Sequence, residues 1–234
     1  MEQKQTNSLA GRAQARLTTS VSRRQFLRYT GLAGAAITAA GVLTGCDKDD
    51  EMNTEGVDLG SGDTGILNYA YALEQLEAAF YKQVTDTPFS GMTTMEAQFF
   101  ADIRDHEIAH REFFKSALSN SAIPGLEVDF SGINFSSRDS VLATAKAFED
   151  LGVSAYNGAG QLLTNPTYLL LAGKIVSVEA RHAAAIRDII SYNSFADNSV
   201  VDANGLDKSR TPSEVLAIAA PYIKTKINAS NLPK

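Results

Sequence analysis

Cysteine and histidine are scarce in this sequence, and their scarcity excludes several kinds of site. The 234 residues include one cysteine, three histidines and no tryptophan. A single cysteine cannot form a disulfide within the chain, and it cannot build an iron or zinc site made only of thiolates. Clusters held by cysteines are therefore excluded.

A basic patch is also lacking. The first 45 residues hold six of the 21 lysines and arginines but only one of the 27 acidic residues, so the remaining chain has a net charge of −11. An acidic chain of this kind argues against nucleic acid as a partner. Its length, with 44% hydrophobic residues, is enough to bury the core of one domain.

The first 45 residues have the features of an export signal. The stretch SRRQFLR contains the twin arginines Arg23 and Arg24, and a short apolar run leads from it to LTGC, which ends at Cys46. That run is too short to cross a bilayer as a stable helix. The order resembles a twin-arginine signal joined to a bacterial lipoprotein signal. This resemblance implies acylation of Cys46 and anchoring in the cell envelope, on the periplasmic face or the cell surface; the alternative is an amphipathic leader with an incidental cysteine.

The remaining chain predicts a tether, a helical bundle and a short C-terminal helix. Residues 46–62 are acidic, contain Gly and Ser and lack periodicity, which is typical of a flexible tether. Residues 63–196 contain four long helical patterns, and residues 197–234 form a linker and a fifth helix that starts at the TPSE stretch and is expected to end near Lys226. The four long helices are expected at about 63–84, 93–119, 137–163 and 165–195.

The connections between the helices predict the arrangement of the bundle. Short turns join the first two helices and the last two, whereas residues 120–137 form a long connection with a strand-like alternation. A connection of this length indicates a crossover between two antiparallel hairpins, that is, an all-α four-helix bundle. The polar faces of its helices are expected to be solvated, including Arg181 and Arg187 on the fourth helix.

Each predicted helix carries an apolar stripe that acidic residues interrupt near the middle. The first and third helices each offer one glutamate there, and the second and fourth each offer a Glu-x-x-His pair. The halves of the chain repeat one another, because EQLEAAFY matches EDLGVSAY and EIAH matches EARH. The six candidate ligands are Glu74, Glu107, His110, Glu149, Glu179 and His182.

These residue types at this spacing favour a site for two metal ions. Residues three apart project to the same side of a helix, so each Glu-x-x-His pair can face the bundle interior. Four carboxylates in a core repel one another and are poorly solvated, and two divalent cations would balance four negative charges. Mixed carboxylate and imidazole ligation suits iron or manganese, and zinc is also acceptable.

The stretches ALEQLEAAFY, HEIAH, FEDLGVSAYNGA and VEARHAAAIRD resemble the ferritin-like di-iron superfamily, whose four-helix bundle and ligand pattern they match. More closely, they resemble an exported ferritin-like family that includes plant desiccation-related proteins and many bacterial lipoproteins. The resemblance implies two metal ions, iron before manganese or zinc. It also implies a ferroxidase or peroxidase type of activity toward oxygen or peroxide, with a reductant that the sequence does not identify, and a homodimer is one expected assembly. The alternative is a lipid-anchored surface binding or stress-protection module that is not an enzyme and holds a structural metal or none.

Several neighbours of the six ligands have open roles. Glu77, one turn after the preferred glutamate of the first helix, is the alternative ligand. Tyr81 and Tyr156 are core tyrosines that could instead hydrogen-bond the ligands or take part in redox chemistry. His106 points about 100° away from its neighbour Glu107, which predicts a solvated histidine or one that supports a ligand.

Overall fold

A computed structural model describes residues 55–234 of the chain. The predicted all-α fold class is confirmed, because the only strands in this part of the chain are two residues long. The predicted export signal with Arg23 and Arg24, and the lipidation site Cys46, lie outside the described residues. The elements are β1 (Val57–Asp58), α1 (Gly62–Asp86), α2 (Thr94–Leu118), α3 (Arg138–Gly160), α4 (Pro166–Ile190), α5 (Pro212–Ala219) and β2 (Ile227–Asn228), with 3-10 turns at Ser119–Ser121 and Ala220–Tyr222.

The four long helices pack as two hairpins, α1 with α2 and α3 with α4. Buried polar side chains of α1 hold the long crossover between the hairpins against the bundle. The Asn68 side chain donates to the carbonyl of Ser121 at 2.9 Å, and the Gln75 carbonyl accepts from the backbone N–H of Leu126 at 2.8 Å. The strand-like alternation in the crossover produces one antiparallel bridge, between Val128 and Ile223.

The helix starts follow local capping signals. Thr93 and Glu96 form a reciprocal capping box at α2, as the sequence predicts, and Asn165 caps α4 before a proline at its first turn. The helix ends differ more from expectation. α5 ends at Ala219 rather than near residue 226, because Pro221 lacks the N–H that would continue the α-helical hydrogen bonds, and a 3-10 turn at Ala220–Tyr222 follows instead.

The end of α4 corrects two expectations. The helix stops at Ile190 rather than near residue 195, and the chain then turns back over it. The prediction of a solvated Arg187 is wrong: this residue is 3% exposed and pairs with Asp150 of α3 at 2.6 Å and with Asp197 of the returning segment at 3.2 Å. The two aspartates neutralise its charge, which offsets the desolvation that burial costs. Arg181 is exposed, as predicted.

The two ends of the described chain meet in a short parallel pairing. Val57 of β1 aligns with Ile227 of β2, and Leu59 just after β1 is fully buried. Residues 57–59 of the predicted tether are therefore fixed to the C-terminal segment. No helix within residues 55–234 is both long enough and apolar enough to span a membrane.

Candidate metal centre

The six candidate ligands converge at the middle of the bundle, one from each of α1 and α3 and two from each of α2 and α4. They form two groups in which one ligand atom from each residue lies within 4.8 Å of the others. Glu107 and Glu179, the glutamates of the two Glu-x-x-His pairs, belong to both groups. The groups are Glu74, Glu107, His110 and Glu179, and Glu107, Glu149, Glu179 and His182.

The geometry within the groups follows the sequence repeat. Nδ1 of His110 lies 2.9 Å from Glu179 Oε1 and 3.5 Å from Glu74 Oε2. Nδ1 of His182 lies 2.9 Å from Glu107 Oε1 and 3.3 Å from Glu149 Oε2. Each imidazole therefore faces the shared glutamate of the other hairpin, as a pseudo-twofold arrangement of the two halves requires.

The donor atoms of this cluster fit divalent cations. The four glutamate side chains are fully buried, and six of their oxygens together with Nδ1 of both histidines make no ordinary hydrogen bond in the described part of the chain. Buried polar atoms without partners are costly, and divalent cations bound among these atoms would satisfy them. Carboxylate oxygens and imidazole nitrogens at this spacing suit iron, manganese or zinc.

Burial and mutual charge shift the titration of every ligand. Burial alone would lower the pKa of both histidines, but the carboxylates around them raise the pKa of His110 to about 12 and that of His182 to about 10. Burial raises the pKa of Glu74 and of Glu179 to about 8. Burial would also raise the pKa of Glu107, but its close contacts with His110 and His182 lower it to about 2. Without metal, the centre therefore holds protons in place of cations.

Two tyrosines link the hairpins across the centre. The hydroxyl of Tyr81 on α1 donates to Glu149 Oε1 on α3 at 2.5 Å, and the hydroxyl of Tyr156 on α3 donates to Glu74 Oε1 on α1. Each tyrosine thus satisfies the oxygen that its glutamate turns away from the histidines. The expectation of a tyrosine that supports a ligand agrees with this geometry; a redox role stays a prediction.

Glu77 is buried beside the centre but lies outside both ligand groups. Its counterpart in the repeat is Gly152, and a Cβ added at Gly152 would lie 3.2 Å from Glu77 Oε1. Burial, followed by the charge of Glu179, raises the pKa of Glu77 well above its usual value. Glu74 is thus the α1 glutamate that joins the cluster, and Glu77 occupies the space left by the glycine.

His106 supplies a contact that the six-residue motif does not contain. Its Nδ1 lies 2.9 Å from Nε2 of His182, on the side of that ring away from the carboxylates, and the two ring planes differ by 10°. His106 is an exposed residue, and the partial desolvation of its ring lowers its pKa. The sequence alone leaves a solvated and a supporting role open for His106, because its partner comes from α4, 76 residues further along the chain.

Comparison with known protein families identifies the family of this chain. Residues 62–192, more than half of the chain, match the family of the ferritin-like domain. The chain belongs to the ferritin-like family. The matched region of this ferritin-like protein begins with α1, ends just after α4 and contains all six converging ligands. Among the curated proteins, nothing matches the chain.

Proposed function

We propose that this ferritin-like protein carries two metal ions, with iron as the principal candidate, and uses them to oxidise Fe(II) or to reduce peroxide or oxygen in stress protection. The observation that carries the proposal is the sharing of Glu107 and Glu179 between two groups that each end in a histidine. Carboxylates that belong to two groups can bridge two cations, and one imidazole remains for each. A single structural ion would not require this duplication.

The residues of the chain would divide between the two ions according to the two groups. His110 and Glu74 would hold one ion, His182 and Glu149 the other, and the two shared glutamates would bridge them. Two redox-active cations held in this way supply Lewis-acid and electron-transfer chemistry toward oxygen or peroxide.

The surrounding side chains would keep the ligands in place and the site dry. Tyr81 and Tyr156 would orient the terminal glutamates through the hydrogen bonds described above. The four glutamates are fully buried, whereas the side chain of His110 is 13% exposed. The α2 edge of the centre, near His110, is therefore where a small oxidant would have the shortest path from solvent.

The sequence supports an exported setting for this activity. We infer that the twin arginines Arg23 and Arg24 direct export and that acylation at Cys46 anchors the protein in the bacterial cell envelope. The motifs shared with the exported family related to desiccation-related proteins support the same setting. A homodimer, an unidentified reductant and the absence of nucleic acid as a partner belong to the same proposal.

Metal analysis combined with an oxidant test decides between this enzyme and a stress-protection module that is not an enzyme. The protein, purified without chelators, should contain iron or manganese, or bind two Fe(II) per chain without oxygen, and should show a spectral change when oxygen or peroxide is added. Near-stoichiometric zinc that resists exchange, without any oxidant-dependent change, would support a structural metal instead.

Two conservative variants test how the metals are held. Glu107→Gln alters a shared ligand, so it should weaken both metal positions, whereas Glu74→Gln alters a ligand of one group and should weaken one. Both replacements keep the shape of the side chain, so the fold should persist and the helical circular dichroism should be unchanged. Equal effects of the two variants on both positions would contradict bridging by Glu107.

A further inference from the structure

We propose that His106 positions the ring of His182 and thereby makes the two halves of the metal centre unequal. This inference rests on the proposed two-metal centre. Nδ1 of His182 faces Glu107 and Glu149, and Nε2 of the same ring lies 2.9 Å from Nδ1 of His106. His106 is the only side chain in residues 55–234 that contacts this outer nitrogen by a hydrogen bond.

The contact fixes which nitrogen of His182 is free to bind a metal. A neutral imidazole has one N–H and one acceptor nitrogen. Ligation through Nδ1 requires the hydrogen to be on Nε2, and Nε2–H can then donate to Nδ1 of His106. Such an acceptor fixes the tautomer and the orientation of a ligand histidine and strengthens its bond to the metal.

Within residues 55–234, the other half of the centre has no such acceptor. The ion-pair contacts of His110 all involve Nδ1, and its outer nitrogen has no hydrogen-bond partner in the described part of the chain. The repeat explains the difference. In HEIAH the residue before the shared glutamate is His106, whereas in VEARH it is Val178, whose side chain cannot accept a hydrogen bond.

The two metal positions should therefore differ in affinity. The ring of His182 is held through both of its nitrogens, whereas the ring of His110 is held through Nδ1 alone within residues 55–234. Loss of an outer hydrogen-bond partner of a ligand histidine typically weakens metal binding about 10–100-fold. We expect the centre to fill in order, first beside His182 and then beside His110.

Calorimetric titration of the metal-free protein with Zn²⁺ tests the inference, because zinc binds without redox chemistry. The wild-type protein should bind two zinc ions with distinct affinities. His106→Val, which copies the repeat counterpart, should weaken the tighter event about 10–100-fold and leave the other within about twofold. His106→Asn should restore most of the tighter event, because its side-chain oxygen can replace Nδ1 as the acceptor. Val178→Ala is the matched control and should change neither event.

The outcomes separate this inference from the proposed centre. Two tight zinc sites that His106→Val leaves unchanged would overturn the role of His106 alone. That role would also be overturned if the two wild-type affinities are equal or if His106→Asn binds zinc as weakly as His106→Val. It would likewise be overturned if His106→Val lowers the free energy of unfolding of the metal-free protein by as much as it weakens the free energy of zinc binding. A wild-type protein that binds fewer than two zinc ions would overturn the two-metal centre itself.

Discussion

Loading the centre with two divalent cations at pH 7 should release about four protons. The raised pKa values of His110 and His182, about 12 and about 10, keep both imidazoles protonated at this pH when no metal is bound. The pKa values of Glu74 and Glu179, raised to about 8, keep their carboxyls largely protonated as well. Metal ligands must be neutral imidazoles and ionised carboxylates, so the four groups lose about one proton each on binding.

Calorimetry in several buffers measures this number directly. The apparent binding enthalpy should vary linearly with the ionisation enthalpy of the buffer, with a slope of about four protons for two cations. The logarithm of the overall affinity should rise with pH at the same slope near neutrality, since protons and cations compete for the same atoms. Glu74→Gln removes one titrating carboxyl and should lower the slope by about one.

The same protons govern the stability of the metal-free protein. The raised pKa values of the two histidines and of Glu74 and Glu179 mean that the folded state holds more protons than the unfolded state above about pH 5, so the free energy of unfolding should fall as pH rises toward 8. Glu107 acts in the opposite sense: with its pKa lowered to about 2, its contribution is present above pH 4.5 and is lost as pH falls. A release of fewer than about two protons on metal binding, measured by calorimetry, would refute this reasoning. So would a metal-free protein whose free energy of unfolding rises between pH 5 and 8.

Three substitutions test the packing that supports the centre, each by urea denaturation of the metal-free protein. Gly158→Ala should destabilise by about 3 kcal/mol or more, because a Cβ there would lie 1.7 Å from the backbone oxygen of Arg210. Arg187→Met should cost about 2–3 kcal/mol by leaving two aspartates unpaired, whereas Arg181→Met, on the exposed face of the same helix, should stay within about 0.5 kcal/mol. Tyr81→Phe should cost about 1–3 kcal/mol, since it leaves a buried carboxylate oxygen without its donor.

Each of these results has a clear opposite. If Gly158→Ala folds with wild-type stability, the backbone at Arg210 does not lie against α3 as described. Equal effects at positions 187 and 181 would contradict the buried ion pair. A phenylalanine at position 81 without effect would mean that the tyrosine hydroxyl is not needed by the glutamate it contacts.

The features of this fold that can be predicted from the sequence are those that depend on local or repeated sequence patterns. The capping box of Thr93 and Glu96 places the start of α2 within one residue, because the signal lies within four residues of chain. The doubled Glu-x-x-His pattern, together with the repeated glutamate of the first and third helices, places all six converging ligands on the correct helices. A repeat carries long-range information, since a pseudo-twofold relation brings equivalent positions of the two halves together.

Features that depend on partners distant in the chain cannot be predicted in the same way. Arg187 is buried because Asp150, 37 residues earlier, and Asp197 in the returning segment neutralise its charge. No local sequence pattern predicts these contacts. The crossed hydrogen bonds of Tyr81 and Tyr156 likewise join residues 68 and 82 positions apart from their partners. The only sequence signal for the contact of His106 is its mismatch with Val178 in the repeat.

Anomalous diffraction from crystals of the iron- or manganese-loaded protein tests the central claim most directly. Two peaks are expected about 3.5–4 Å apart, a separation typical of paired metal sites, one beside Nδ1 of His110 and one beside Nδ1 of His182, with Glu107 and Glu179 between them. A single peak, peaks on the protein surface, or no peak in this cluster would contradict the two-metal centre.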